Sequence, residues 1–456
     1  MNIPKKTIIC LIKNHKFNVI NCNLKVFFRN KIIILFRENK NTLFFRSLND
    51  IIMVDEGEKM KVIERKYLSE LIEFIGTPDI KVITGVRRSG KSKLLESFYE
   101  YIITNYHDSN VIYIDFNKLE FEDYLEYHKL YEFIKSKFEA DKNNFVLIDE
   151  VQNCVNFEKT INSLYSEGNH DIYLTGSNAF LLSSDLATLF TGRTIEIKVT
   201  PFSYSEYMEY FNLENKIECF DKYVLEGGLA GSYLYPTEKG KYDYIANVYG
   251  TIIERDLVKR KKIRNKVLLK KIASFLMDNI SNITSINNVT KTLNDKLMPI
   301  NDKTVGSYIE NLCQAYLFYK IPRYDIKGKK YLASSEKYYL SDHTFKYALL
   351  GKKDMNYGRV YENMVVLELL RRGYEVYVGV LYQKEIDFVA IKRNEKIYIQ
   401  VSDDISNQDT FDREVEPLLK IKDAYPKMLI ARTKHPEYSH EGIKIIDIGE
   451  WLVTIE

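Results

Sequence analysis

The octapeptide Gly85-Val86-Arg87-Arg88-Ser89-Gly90-Lys91-Ser92 constrains this chain more than any other feature. It spells G-x-x-x-x-G-K-[ST] between an apolar run, Ile80–Thr84, and a helical stretch that opens at Lys91. A strand that turns through glycines straight into a helix leaves several backbone N–H groups free at the helix N-terminus, where the peptide dipoles concentrate positive charge. That arrangement cradles phosphate oxygens. Lys91 is then placed to reach β- and γ-phosphates, and the Ser92 hydroxyl to ligate Mg2+. A plain glycine turn with a surface lysine would need neither the strand before it nor the helix after it.

A second apolar run, Phe145-Val146-Leu147-Ile148, ends in Asp149-Glu150. Carboxylates at the C-terminal end of a buried parallel strand lie on the edge where such sheets bind ligands. The pattern casts Asp149 in the magnesium shell and Glu150 as the group that orients and deprotonates an attacking water. In Tyr173-Leu174-Thr175-Gly176-Ser177-Asn178, a polar side chain after a third strand can bond that water or the terminal phosphate. Asn178 is the first choice and Ser177 the second, against a plain strand-to-helix turn. Arg193 follows a helix and precedes a strand; it is a candidate finger for transition-state charge, in cis or across a subunit boundary, against an ordinary surface arginine.

These strands, with Val111–Asp115 and Thr194–Val199, alternate with helical stretches, which predicts a parallel sheet covered on both faces. At 456 residues the chain exceeds one ordinary domain. Five partitions follow: an extension or mis-assigned start over 1–58, with Met53 or Met60 as the alternative start; a P-loop domain over 59–205; a helical linker or lid over 206–265; a winged helix over 266–345; and an α/β domain over 346–456. Residues 1–52 carry ten Lys/Arg against Glu38 and Asp50, so the net +3 of the whole chain hides a body that sums to −5. Their apolar runs are far shorter than the ~18 residues of a membrane span, so no membrane association is expected. Five scattered cysteines with no C-x-x-C argue against disulfides or zinc and suit a reducing cytoplasm.

Taken together, Lys81–Glu100, Leu147–Gln152, Leu174–Arg193 and Pro201–Tyr207 resemble the prokaryotic AAA-type ATPases that carry a C-terminal domain of unknown function. The resemblance continues through Arg255-Asp256-Leu257-Val258-Lys259-Arg260, Pro322–Lys330 and Glu385-Ile386-Asp387-Phe388, covering the chain from about Met60 onward. It implies ATP as the nucleotide, a winged helix and a nuclease-like tail. No N-K-x-D motif that would read guanine stands in the expected place.

Eight basic residues without an acid run from Lys259 to Lys271, and the hairpin after the Asn301-capped helix adds Lys320, Arg323, Lys327, Lys329 and Lys330. DNA is therefore a candidate partner, and so is a protein surface. In the tail, Glu362, Asp387 and the strand Lys396–Ser402 are ordered as in PD-(D/E)XK nucleases, but Gln400 and Ser402 stand where that family has glutamate and lysine. A neutral amide is a poor ligand for a hard cation, so a docking role is expected ahead of cleavage. The sequence thus predicts a Mg2+-dependent ATP hydrolase, homo-oligomerisation being a candidate property. A nucleotide-binding scaffold with little turnover and an ATP-regulated nuclease are the alternatives.

Overall fold

The computed structural model describes residues 63–176, 190, 192–294, 300–352, 355–382 and 384–454, together with the backbone of short strands between residues 11 and 55. Residues 1–62 and 63–456 are separate compact units. In the first, Leu24–Phe28, Lys31–Asn39, Thr42–Ser47 and Asp50–Asp55 pair successively as an antiparallel four-stranded sheet.

The second unit opens with helix α1 (Lys66–Glu73) and a five-stranded parallel sheet. Its strands are β1 (Ile80–Thr84), β2 (Ser109–Asp115), β3 (Asn143–Asp149), β4 (His170–Thr175) and β5 (Thr194–Lys198), in the order β5-β1-β4-β3-β2. Alternate residues of these strands face opposite layers. Ile80, Val82, Val146, Ile148 and Leu174 pack on the helices Tyr127–Lys137 and Phe157–Glu167. Ile83, Phe145, Leu147 and Tyr173 pack on α1 and on α2 (Lys91–Asn105), against Leu71, Leu95, Phe98 and Ile102. Each such side chain contributes roughly 1.5–3 kcal/mol when fully buried. Burial on both faces is why the strands read as near-continuous apolar runs.

Helices follow at Tyr204–Phe211, Glu218–Glu226 and Glu238–Thr251, and the last continues as a π-helical segment, Ile252–Lys259. Three further helices, Lys266–Asp278, Ile286–Leu293 and Asp302–Gln314, precede a hairpin of β6 (Phe318–Asp325) and β7 (Lys330–Leu340). Asn301 caps the third of these helices as expected, accepting from the Thr304 N–H at 2.8 Å.

The sheet that begins with this hairpin does not stop at residue 345. β6 pairs in parallel with β8 (Glu375–Leu381), Arg323 opposite Val378, so one sheet crosses the expected boundary. That sheet continues through β9 (Lys384–Lys392), β10 (Glu395–Ser402), β11 (Lys427–Ala431), β12 (Tyr438–His440) and β13 (Ile443–Asp447), in the order β7-β6-β8-β9-β10-β11-β13-β12. Helix α3 (Tyr357–Arg371) covers one face, through Val365, Val366 and Leu369; Val415 and Leu418 of the helix Gln408–Leu419 cover the other.

Candidate nucleotide site

The octapeptide joins β1 to α2 at the C-terminal edge of the parallel sheet. Gly85 turns with φ 137°, and a Cβ there would lie 2.0 Å from the Val199 carbonyl oxygen. Gly90 makes the second turn at φ 101°, with Arg88 held in the left-handed region at φ 68°. The loop closes by a Ser89 N–H bond to the Val86 carbonyl at 3.2 Å, and α2 begins as the Leu94 N–H bonds the Gly90 carbonyl at 2.9 Å. The Ser89 side chain is buried, yet its Oγ meets no hydrogen-bond partner.

Lys91 is buried and donates to the carbonyls of Gly85 and Val86, at 2.9 and 3.0 Å. Burial pulls its ammonium down to about 8, while Glu150 is the acid that most opposes that shift. Those two carbonyls are substitutes of modest strength; a polyanion would be a better partner for the same ammonium.

β4 lies between β1 and β3, and Thr175 at its end ties the acids in place. Its hydroxyl donates to Asp149 and accepts from the Glu150 N–H at 3.0 Å. The Ser92 hydroxyl lies near enough to Asp149 to favour its carboxylate form. Burial raises the Asp149 carboxyl above its ordinary value, and the two hydroxyls oppose this. Glu150 takes a left-handed conformation, φ 54°, that a non-glycine residue adopts at a cost. Its carboxylate accepts from the Gln152 amide.

Arg65, which nothing in the sequence marked, braces the loop from behind. It donates to the Ser89 carbonyl at 2.8 Å and to Thr200, and pairs with Glu206 through both carboxylate oxygens at 2.7 and 2.9 Å. Arg371, at the end of α3, reaches the Thr200 hydroxyl at 3.0 Å, so the C-terminal module also touches this brace. Arg87 pairs with Asp256 of the π-helical segment, at 2.8 and 2.9 Å.

The remaining expectations fare differently. Ser177 and Asn178 lie outside the described residues. Arg193 does not join the site. Its carbonyl accepts from the Ile80 N–H at 2.8 Å, at the start of β1, and its guanidinium lies over the Tyr165 ring. The phosphate loop is at the other end of β1, about 16 Å away for five residues of strand. A finger role within one chain is therefore corrected by this geometry; contact across a subunit boundary is the form left to it.

In the tail, Glu362 of α3 and Asp387 of β9 do come together, but around an ammonium that the sequence reading missed. Lys337 of β7, 2% exposed, lies 3.1 Å from Glu362, 2.6 Å from Glu385 and 3.6 Å from Asp387. Burial lifts the Asp387 carboxyl well above its usual range, while Val401 N–H holds it at 2.9 Å. Gln400 turns its amide to Glu414 at 2.9 Å, and Ser402 bonds the Asp404 carbonyl. Among the described residues no group of three or more His, Cys, Asp or Glu is placed to hold a metal. The donor set does not fit a divalent cation, because the lysine fills its place.

A parallel sheet whose first strand feeds a glycine-lysine loop, with two acids on a neighbouring strand end, defines a P-loop domain of the AAA type. Residues 77–208 match the family model described as an AAA domain, and residues 217–356 the one described as a domain of unknown function (DUF8612). An uncharacterized protein of Haemophilus influenzae is 36% identical over 401 residues, 87% of this chain and 99% of that one. The chain belongs to the P-loop AAA-type family that this relative shares. A Methanocaldococcus jannaschii protein, MJ1544, is 28% identical over 90% of this chain and 92% of its own length. Among solved structures, AMPPCP-bound DnaA from Aquifex aeolicus aligns with 54% of this chain and 85% of its own at 18% identity, TM-score 0.28. The Aeropyrum pernix ORC1 protein in complex with DNA aligns with 68% and 94% at 11% identity, TM-score 0.29. No helix among the described residues is long and apolar enough to cross a membrane.

Proposed function

We propose that this protein binds ATP in the loop Gly85–Ser92 and hydrolyses it, using nucleotide state to change how the helical and C-terminal modules engage a partner. The observation that carries this reading is the buried Lys91 ammonium resting on two carbonyls of its own loop, beside Asp149 and Glu150. The unpartnered Ser89 hydroxyl and the nearness of the Ser92 hydroxyl to Asp149 fit the same ligand. Mg2+ would be held by Ser92 and Asp149, and when bound it neutralises charge on the phosphate oxygens.

The chain's own groups have distinct tasks. The backbone N–H groups of Arg88, Gly90, Lys91 and Ser92 receive phosphate oxygens, and Lys91 exchanges its carbonyl partners for them. Thr175 fixes Asp149 and the backbone of Glu150. Glu150 accepts the proton of the attacking water once Gln152 yields its carboxylate. ATP turnover tests this: Glu150→Gln should bind nucleotide normally and lose roughly 100-fold or more of turnover. Equal turnover in both proteins would remove Glu150 from the chemistry.

The engagement of Glu150 by Gln152 favours a second reading, a nucleotide-dependent scaffold with little turnover. It separates from the first by near-zero hydrolysis together with a long-lived ATP complex. DNA, a protein surface and further copies of this chain are the proposed partners. The basic run Lys259–Lys271 supports the first of these. ATPase rates with and without duplex DNA across a salt series test it, since phosphate contacts weaken steeply with salt.

A further inference from the structure

The phosphate loop is held by two modules at once. Val86 buries its side chain in the core of the helical module, with Leu229, Ile253 and Leu257. Its neighbour Arg87 makes a two-pronged pair with Asp256, which is 1% exposed. Asp256 sits in the π-helical segment Ile252–Lys259, whose wider hydrogen bonding is uncommon and concentrates at functional sites. Four residues on, about one helical turn, stands Arg260. Its Nη1 is shielded from solvent and has no hydrogen-bond partner. Besides burial, Asp256 and Glu150 attract its charge, and Arg255 and Arg87 repel it. The buried Asp256 carboxylate is thus bonded to Arg87, while the Arg260 guanidinium one turn on lies near it with an unmet donor.

We infer that Asp256 exchanges partners with nucleotide state, bonded to Arg87 as in this structure and to Arg260 once a nucleoside triphosphate draws Arg87 to its phosphates. The inference rests on the ATP reading of the loop. Its physical basis is that a buried carboxylate stripped of its cation is costly, several kcal/mol where such pairs have been broken. Arg87 can leave Asp256 only if another cation arrives, and Arg260 is the neighbour with an unmet donor. The exchange satisfies the Arg260 donor and leaves Asp256 paired with a cation throughout. It also moves the π-helical segment, which leads directly into the basic run from Lys259 and the helix Lys266–Asp278, so Asp256 is a positioning residue that reports loop occupancy to the helical module.

Calorimetric binding of Mg·AMPPNP to the full chain tests the exchange. Arg260→Gln should weaken binding roughly tenfold or more, because Asp256 would be left unpaired. Asp256→Asn alone should bind as tightly as wild type or tighter. The double variant Asp256→Asn/Arg260→Gln should recover most of the loss, since a neutral amide needs no cation. A loss in Arg260→Gln that Asp256→Asn fails to restore would mean that Arg260 acts some other way, and would overturn the exchange. A wild-type chain that binds no Mg·AMPPNP would instead overturn the ATP reading and the exchange with it. Hydrogen exchange over residues 252–264 of the wild-type chain needs no variant. Protection there should change on adding Mg·AMPPNP, and an unchanged pattern in a nucleotide-bound chain contradicts the exchange.

Discussion

The Lys91 ammonium donates to the Gly85 carbonyl at 2.9 Å, folding the phosphate loop's own lysine back over the space that a phosphate would fill. Burial of that ammonium carries a consequence for pH. Its pKa falls from the ordinary 10.5 to about 8 in the folded chain. Between those values the unfolded chain binds the proton and the folded one does not, so this residue makes stability rise with pH there. A polyanion reverses the preference. Near pH 9, ATP binding should therefore take up about one proton at this site, and near pH 7 almost none. Calorimetry in buffers of differing ionisation enthalpy measures the uptake; a value near zero at both pH values would show that Lys91 does not meet the phosphates.

Gly85→Ala should disable the loop even though it adds one methyl group. That Cβ would lie 2.0 Å from a backbone oxygen, at a φ of 137° that alanine resists. Strain of this kind costs on the order of 1–3 kcal/mol, more where backbone must move. Thermal unfolding should show the loss, and nucleotide binding should fall with it. Wild-type stability and affinity would contradict the close packing of the loop under Val199.

Lys337→Met should destabilise the C-terminal module by about 3–5 kcal/mol, since it leaves Glu362 and Asp387 buried without their cation. Adding Glu362→Gln to that variant should recover part of the loss in chemical denaturation. The same geometry predicts no Mg2+- or Mn2+-dependent cleavage of DNA by the wild-type chain. Cleavage that Asp387→Ala abolishes would show that a divalent cation displaces Lys337 after all.

The sheet and its loop were legible because their signals are local. Ile80–Thr84 is mostly apolar and five residues long, Gly85 follows it directly, and α2 opens at Lys91 as expected. Groups that meet across long stretches of chain were not. Arg65 is a single arginine before an apolar helix, and its partners Ser89, Thr200 and Glu206 lie 24 to 141 residues away. Lys337 sits in a strand of mixed polarity, and only the sheet order β7-β6-β8-β9, with α3 packed on that sheet, brings it to Asp387 and Glu362. Arg193 misled for a related reason. Its position between a helix and a strand says nothing about which end of the sheet it occupies, and the parallel register of β5 with β1 puts it at the far one. Thr175 was in view as part of a strand-end motif, but its role depends on β4 lying between the loop strand and the acid strand.

Equilibrium binding of Mg·ATP to the wild-type chain and to Lys91→Ala tests the central claim most directly. Saturable binding by the wild-type chain, weakened roughly 100-fold or more in the variant through loss of a buried charged contact, is the predicted result. Equal affinity in the two proteins, or no binding by either, would contradict it.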